Sequence, residues 1–348
     1  MRALLTALPL AILLLANGLS AAQGDSSLSW RGVWEWSMPK RTPEDMARIA
    51  DACDRLGFNV LMTSPPQTLS RRLLQECHQR GIKLYRSTVF TGGDKDWRQV
   101  LLPEEQARFE RPRPETFQQG GEPFTADELF SGHLPCFSNP RVREHFAKMV
   151  ADHARGEVDG LAFDMVGYVN YRRCHCDLCN EDFAARHLAD PGLTQDAWAE
   201  QVLVDFINEM AAVARETRPD IELSIHIYPY FAPNPYYGHR LDIDYVGETV
   251  AWFFRPHWPL EKVHRLVEDV VGKQGTAFSR QKAAPFIGFY ADPHRDFRSS
   301  TRVRREIEAI LAGGASAIQF AELGNLARKP AVAAAVPAAL NPRGPLTD

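Results

Sequence analysis

Beyond residues 1–22 the chain lacks any apolar run near the ~20 residues that a membrane-spanning helix requires. It also lacks a basic run: 40 Lys and Arg stand against 44 Asp and Glu, for a formal net charge of −4. Nothing in that balance attracts nucleic acid or an anionic membrane. No Gly-rich phosphate loop follows the first apolar segment, where Trp34-Glu35-Trp36 stands instead, so a dinucleotide-binding fold has no foothold. There is no His-x-His pair. His226, His257 and His294 have no ligand-like spacing, which disfavours a metal-dependent hydrolase. No cysteine precedes Cys53, which leaves a lipid-anchored N-terminus without an attachment point.

What is present begins with MRALLTALPLAILLLANGLSAA at 1–22: one Arg, an apolar run from Ala3 to Ala16, then the small residues Ser20, Ala21 and Ala22. This is the pattern of a secretory signal peptide cleaved near Ala22, which predicts a secreted or periplasmic protein. Residues 23–340 are the length of one barrel domain with inserted loops, and 341–348 read as a tail. Six cysteines in an exported chain call for pairing or metal binding. Cys53 and Cys77 fall on consecutive predicted helices, which allows one bridge.

A phrase recurs along the chain: an amphipathic helical stretch, a Gly or Pro-Asp stop, then a short apolar run. Thr42-Pro43-Glu44-Asp45 opens a helix that Gly57 ends, and Gly81 and Gly156 end the next two. The apolar runs are RGVWEW (31–36), FNVLM (58–62), IKLYRSTV (82–89), VDGLAFD (158–164), IELSIHIY (221–228), DYVGETVAW (244–252), PFIGFYA (285–291) and SAIQFAE (316–322). Eight buried strands separated by helices imply parallel pairing, and the fold class predicted is α/β, a (β/α)8 TIM barrel with long loops after strands three and four. Those loops, about 91–138 and 170–217, leave the strand C-terminal ends, where barrel enzymes keep their sites.

On that fold the polar strand ends converge. Glu35 and Trp36 come from strand one, Arg86 from three, Asp164 from four, His226 and Tyr228 from five. Glu248 and Trp252 come from six, Tyr290 and Asp292 from seven, Glu322 from eight. Five carboxylates around one apolar-walled bowl are costly as decoration, since each charge must be solvated or paired. Cleaving a glycosidic bond needs two carboxyl groups, and Trp and Tyr faces supply flat surfaces for sugar rings. Asp164 is the first catalytic candidate, ending a buried strand where packing alone would place Val or Ile. Glu248 is the second, with a raised pKa expected for it. The other residues named are assigned to substrate binding. Tyr228, Tyr230, Phe231, Tyr236 and Tyr237 add an aromatic loop after strand five.

Cys174, Cys176 and Cys179 lie within six residues, with Cys136 as the fourth thiol. A closed structural zinc and two disulfides both fit that spacing, and either would tie the loop after strand three to the insert after strand four. No cofactor is required for catalysis.

CFSNPRVREHF (136–146), DGLAFDMVGY (159–168) and CHCDLCNEDF (174–183) together resemble the barrel segment of glycoside hydrolases, including barrels related to β-galactosidases. Those proteins similarly show a Cys-x-x-x-Pro start, a strand-four Asp and a Cys-x-Cys-x-x-Cys-x-x-x-Phe cluster. The likeness is sharp over about fifty residues and architectural elsewhere. It implies that Asp164 is the nucleophile or the acid/base. The galactosidase pattern of Asn-Glu on strand four and Glu on strand seven is replaced by Asp164-Met165 and Ala291-Asp292. The chain resembles more closely those barrels whose strand-four Asp works with an acid from strand five or six. The expected function is cleavage of glycosidic bonds in a poly- or oligosaccharide, with carbohydrate as the only partner. A non-catalytic carbohydrate-binding barrel is the alternative, and a metal-dependent hydrolase ranks below it. The sequence sets neither the oligomeric state nor the sugar.

Overall fold

The computed structural model describes residues 28–90, 101–113, 118–119, 122–123, 134–254, 256–290 and 298–340. The leader, the tail and Asp292 therefore lie outside the described residues. Eight parallel strands form the barrel: β1 (Trp30–Trp34), β2 (Val60–Thr63), β3 (Lys83–Val89), β4 (Gly160–Asp164), β5 (Glu222–Ile227), β6 (Tyr245–Ala251), β7 (Phe286–Gly288) and β8 (Ala317–Ala321). Neighbours pair in chain order, β8 pairs with β1, and β7 pairs with both β6 and β8, which closes the ring. All eight expected strands are present.

Helices α1 (Pro43–Arg55), α2 (Gln67–His78), α3 (Pro140–Ala154), α4 (Asp177–Ala189), α5 (Gln195–Thr217), α6 (Leu260–Lys273), α7 (Ser300–Ala312), α8 (Leu323–Ala327) and α9 (Pro330–Leu340) surround it. Local chemistry sets their ends. Thr42 and Asp45 form a reciprocal capping box on α1, with Pro43 at the first turn. Gly57, at φ 78, then reverses the chain in a region that other residues rarely enter. Asn139 caps α3 through Arg141 and Val142 N–H. Between β5 and β6 the expected helix is replaced by a loop and a single 3-10 turn, Gly238–Arg240. Pro229, Pro233 and Pro235 remove three of the backbone donors a helix would use there.

Strand alternation sends one set of side chains to the helices and the other to the lumen. On β4, Leu161 and Phe163 join the outer layer. Phe163, Phe146 and Phe206 all meet Phe90 edge-on, with ring centroids 5.1–5.2 Å away. Each ring so buried contributes roughly 2–3 kcal/mol. The lumen is plugged by a polar relay: Trp34 Nε1 donates to Gln319 Oε1 at 3.1 Å, and Gln319 Nε2 to Ser224 Oγ at 2.8 Å. Gln319 fits because residue 247 is glycine; a Cβ there would lie 2.4 Å from Gln319 Oε1. The plug confines any cleft to the strand C-terminal face.

Candidate active site

Asp164 ends β4 on the inward register and is 3% exposed. Met165 N–H donates to its Oδ1 at 3.0 Å, and the Tyr228 hydroxyl donates to the same carboxylate. The chain then turns abruptly. Met165, Val169 and Asn170 all take positive φ (60°, 26° and 61°), a strained choice for side-chain-bearing residues. The strain is held by bonds to the loop after β5, from Tyr168 N–H to Phe231 O (2.6 Å) and from Asn170 N–H to Tyr230 O (2.7 Å). The two loops thus brace each other around the carboxylate.

His226, inward on β5, faces Asp164 with Nδ1 3.6 Å from Oδ1. Its ring stacks on Phe286 at 3.6 Å, and Tyr228 lies 3.9 Å from it. The tautomer follows from Thr249. That hydroxyl donates to Ile227 O at 3.0 Å, so it accepts from His226 Nε2–H at 3.1 Å. Nδ1 faces the carboxylate from just beyond hydrogen-bond range. Burial lowers the His226 pKa, and Asp164 acts against that shift. Burial, with Asp164 beside it, raises the Tyr228 pKa well above the usual phenol value.

A cleft of about 450 Å³ opens over Asp164, bordered by Glu35, Trp36, Lys40, Ser64, Ser87, Val89, Met165 and Tyr228. Glu35 is fully engaged: Lys40 Nζ lies 2.5 Å from Oε2, Thr63 Oγ1 donates to Oε2 at 2.9 Å, and Met38 N–H donates to Oε1 at 2.5 Å. Trp36 is 38% exposed at the rim. From it a run of rings, Phe253, Phe254 and Tyr290, continues at successive centroid distances of 6.1, 5.8 and 5.9 Å. Successive rings are tilted by 34–44°, with Trp36 and Tyr290 the exposed ends of the run.

Other predicted members are not brought to the cleft. Inward positions on β6 are Gly247, against Gln319, and Thr249, against His226. Glu248 between them therefore faces outward, where Gly238 N–H donates to its Oε1 at 2.7 Å. Its pKa is raised to about 7 by burial, as expected, but on the wrong side of the strand for a partner to Asp164. Arg86 likewise turns out of the barrel, since Tyr85 and Ser87 occupy the inward register. Glu322 is the N-cap of α8, accepting from Gly324 N–H (3.0 Å), Asn325 N–H (2.6 Å) and Ser37 Oγ (2.7 Å). Trp252 is buried edge-on to Tyr230 at 5.4 Å, and its carbonyl accepts from Arg298, so it backs the aromatic wall. Sequence reasoning missed Lys40, whose only signal was a cation soon after the first strand.

The four cysteines Cys136, Cys174, Cys176 and Cys179 converge, all buried, with every Sγ within 4.8 Å of the others. Cys136 Sγ is 3.7 Å from Cys176 and 3.5 Å from Cys179. Zn–S bonds of about 2.3 Å in a tetrahedron imply S···S edges of about 3.8 Å, close to these values and far from a bond of about 2.05 Å. Arg108 and Cys176 N–H groups point at Cys174 Sγ (3.4 and 3.5 Å), the donor set a thiolate needs. Cys53 and Cys77, on neighbouring helices, are buried free thiols rather than a bridge.

No family model and no curated protein sequence matches the chain. Solved structures do. The PgaB (BpsB) glycoside hydrolase domain from Bordetella bronchiseptica superposes with a TM-score of 0.57 at 13% identity, covering 89% of this chain and 98% of that one. A β-galactosidase from the psychrophilic Marinomonas ef1 gives 0.62 at 13% identity, covering 90% and 59%. A catalytic mutant of Gan42B, a GH42 β-galactosidase from G. stearothermophilus, gives 0.60 at 11% identity, covering 91% and 57%. The chain thus spans little more than half of each galactosidase. At such identities the likeness is one of fold alone, the (β/α)8 barrel.

Proposed function

We propose that this protein is a secreted enzyme that cleaves glycosidic bonds of an oligo- or polysaccharide, with Asp164 as its reacting carboxyl. One observation carries the reading: a buried carboxylate, gripped by Tyr228 and faced by His226, lies beneath an open cleft with the exposed Trp36 ring at its rim. With His226 Nε2–H committed to Thr249, a proton between Nδ1 and Oδ1 turns two opposed lone pairs into a charge-assisted pair. Asp164 passes that proton to the leaving oxygen as the glycosidic C–O bond breaks, water forms the new bond to the anomeric carbon, and the proton it sheds returns to the Asp164–His226 pair. Glu35, which Lys40 holds, is the second carboxylate bordering the cleft among the described residues. It takes the place first given to Glu248, though not the raised-pKa acid role expected there, and steadies positive charge that develops on the sugar.

The four cysteines support a structural zinc, which would clamp the segment before α3 to the start of α4 and supply no chemistry. The leader supports export.

Sugar release from a panel of polysaccharides and aryl glycosides tests the proposal. Wild type should release sugar, and Asp164→Asn should lose at least a hundredfold in kcat with its Tm retained. A carbohydrate-binding barrel is the second reading, favoured by the engagement of Glu35 and Glu322 elsewhere. Glycan binding without release from any substrate would establish it instead.

A further inference from the structure

Arg86 is out of place for a structural residue. It projects from β3 into the layer between α2 and α3, where its register neighbour on β4 is the apolar Leu161, and it is half-buried. Its Nε is buried without a partner, and burial alone lowers its pKa. Among the described residues no carboxylate reaches it. Asp152 and Glu157, the acids bordering the hollow, are paired to Arg155 at 2.7 Å and to Arg71 at 2.6 Å. Lys148, a second cation there, is paired to Glu144 at 2.7 Å. His153 beside it stays neutral, its pKa lowered to about 4 by burial and by Arg86. That Nε is a buried donor left without a partner among the described residues, and a carboxylate or sulfate held by the guanidinium is a ligand that satisfies it.

The hollow is connected to the site already described. Arg86 borders two adjoining spaces of about 490 and 870 Å³. The first shares Ser64, Ser87 and Val89 with the cleft over Asp164. A glycan seated in that cleft would therefore extend over Ser87 toward Arg86.

We propose that this groove is an acidic-sugar subsite in which Arg86 binds the anionic substituent of the glycan unit next to the one held over Asp164. The inference rests on the carbohydrate reading of the cleft. It makes the ligand an acidic glycan, a uronate or a sulfate ester, rather than a neutral one.

Calorimetric binding to the purified protein carrying Asp164→Asn, with and without Arg86→Gln, tests it. The probes are uronate-containing trisaccharides, their neutral counterparts, and inorganic sulfate as competitor. At least one acidic trisaccharide should bind tenfold or more tightly than its neutral counterpart. That preference should shrink in high salt and vanish in Arg86→Gln, whose unliganded Tm should equal or exceed the parent's. Displacement by sulfate would point to sulfate esters, and resistance to it to carboxylates. Equal binding of acidic and neutral probes, an acid preference that survives Arg86→Gln, or a Tm lowered by several degrees in that variant would overturn the subsite. Sugar release is a separate readout: Arg86-dependent acid binding in a protein without turnover would sink the hydrolase and keep the subsite.

Discussion

At the residue scale the site depends on the groups that surround one buried carboxylate. Tyr228 donates to Asp164 and His226 faces it, so the two should be separable by mutation. Tyr228→Phe removes one donor without changing the packing against Phe231 and Trp252, and kcat should fall roughly ten- to hundredfold with KM little changed. His226→Gln should move the limbs of the pH–rate profile as well as lower kcat. A profile that keeps its shape would show that His226 only packs. Glu248 gives the opposite prediction. Its folded pKa, about 7, lies above the usual carboxylate value, so between those two values the folded state holds a proton that the unfolded chain has released. Stability from this group is complete at low pH and declines as pH rises through 7. Glu248→Gln, which can still accept from Gly238, should flatten that decline and stabilise the protein at pH 8 by on the order of 2–3 kcal/mol. Turnover should be unchanged, as thermal melts and assays across pH 5–8 would register.

At the scale of elements, the strand ends and the first turns beyond them do the positioning. Glu322 illustrates how a carboxylate at the right end of a barrel strand can belong to the scaffold. It sits at the start of α8, where three N–H and hydroxyl donors converge on it. Glu322→Ala should therefore cost about 1–2 kcal/mol of stability, read from the denaturant midpoint. Activity per folded molecule should fall far less than in Asp164→Asn. The loop that follows β4 has the reverse character. It is strained at Met165, Val169 and Asn170 and tied to the loop after β5, so the reacting carboxylate is held by two elements at once. Seating the site at the junction of adjacent strands gives it rigidity that a free loop would lack.

For the whole molecule, the cysteine cluster connects the longest excursions from the barrel to its frame. Cys136 precedes α3, Cys174 and Cys176 end the loop from Asp164, and Cys179 lies in the first turn of α4. The purified protein should carry about one zinc per chain by elemental analysis. Chelation under reducing conditions should lower Tm by several degrees or more, with activity lost in parallel, since the metal would hold the loop that carries Met165. Cys176→Ser should reproduce the loss. Two disulfides in place of zinc would instead make the melt insensitive to chelator and sensitive to reductant.

Much of this architecture is determined by sequence alone. Eight apolar runs separated by capped amphipathic helices leave few arrangements other than a closed parallel barrel, because each strand must be covered on both faces. The acid that ends VDGLAFD and the Cys-x-Cys-x-x-Cys spacing were legible for the same reason: local order sets their position. The facing of Glu248 and Arg86 was not. A strand's period is two, so a shift of one residue in where it crosses from floor to rim moves a side chain from the cleft to the helix layer. Only contacts between distant strands, Gly247 against Gln319 and Thr249 against His226, decide that register. The same holds for Glu35 and Glu322, whose charges are engaged by Lys40 and by the first turn of α8, partners that become visible when the barrel closes.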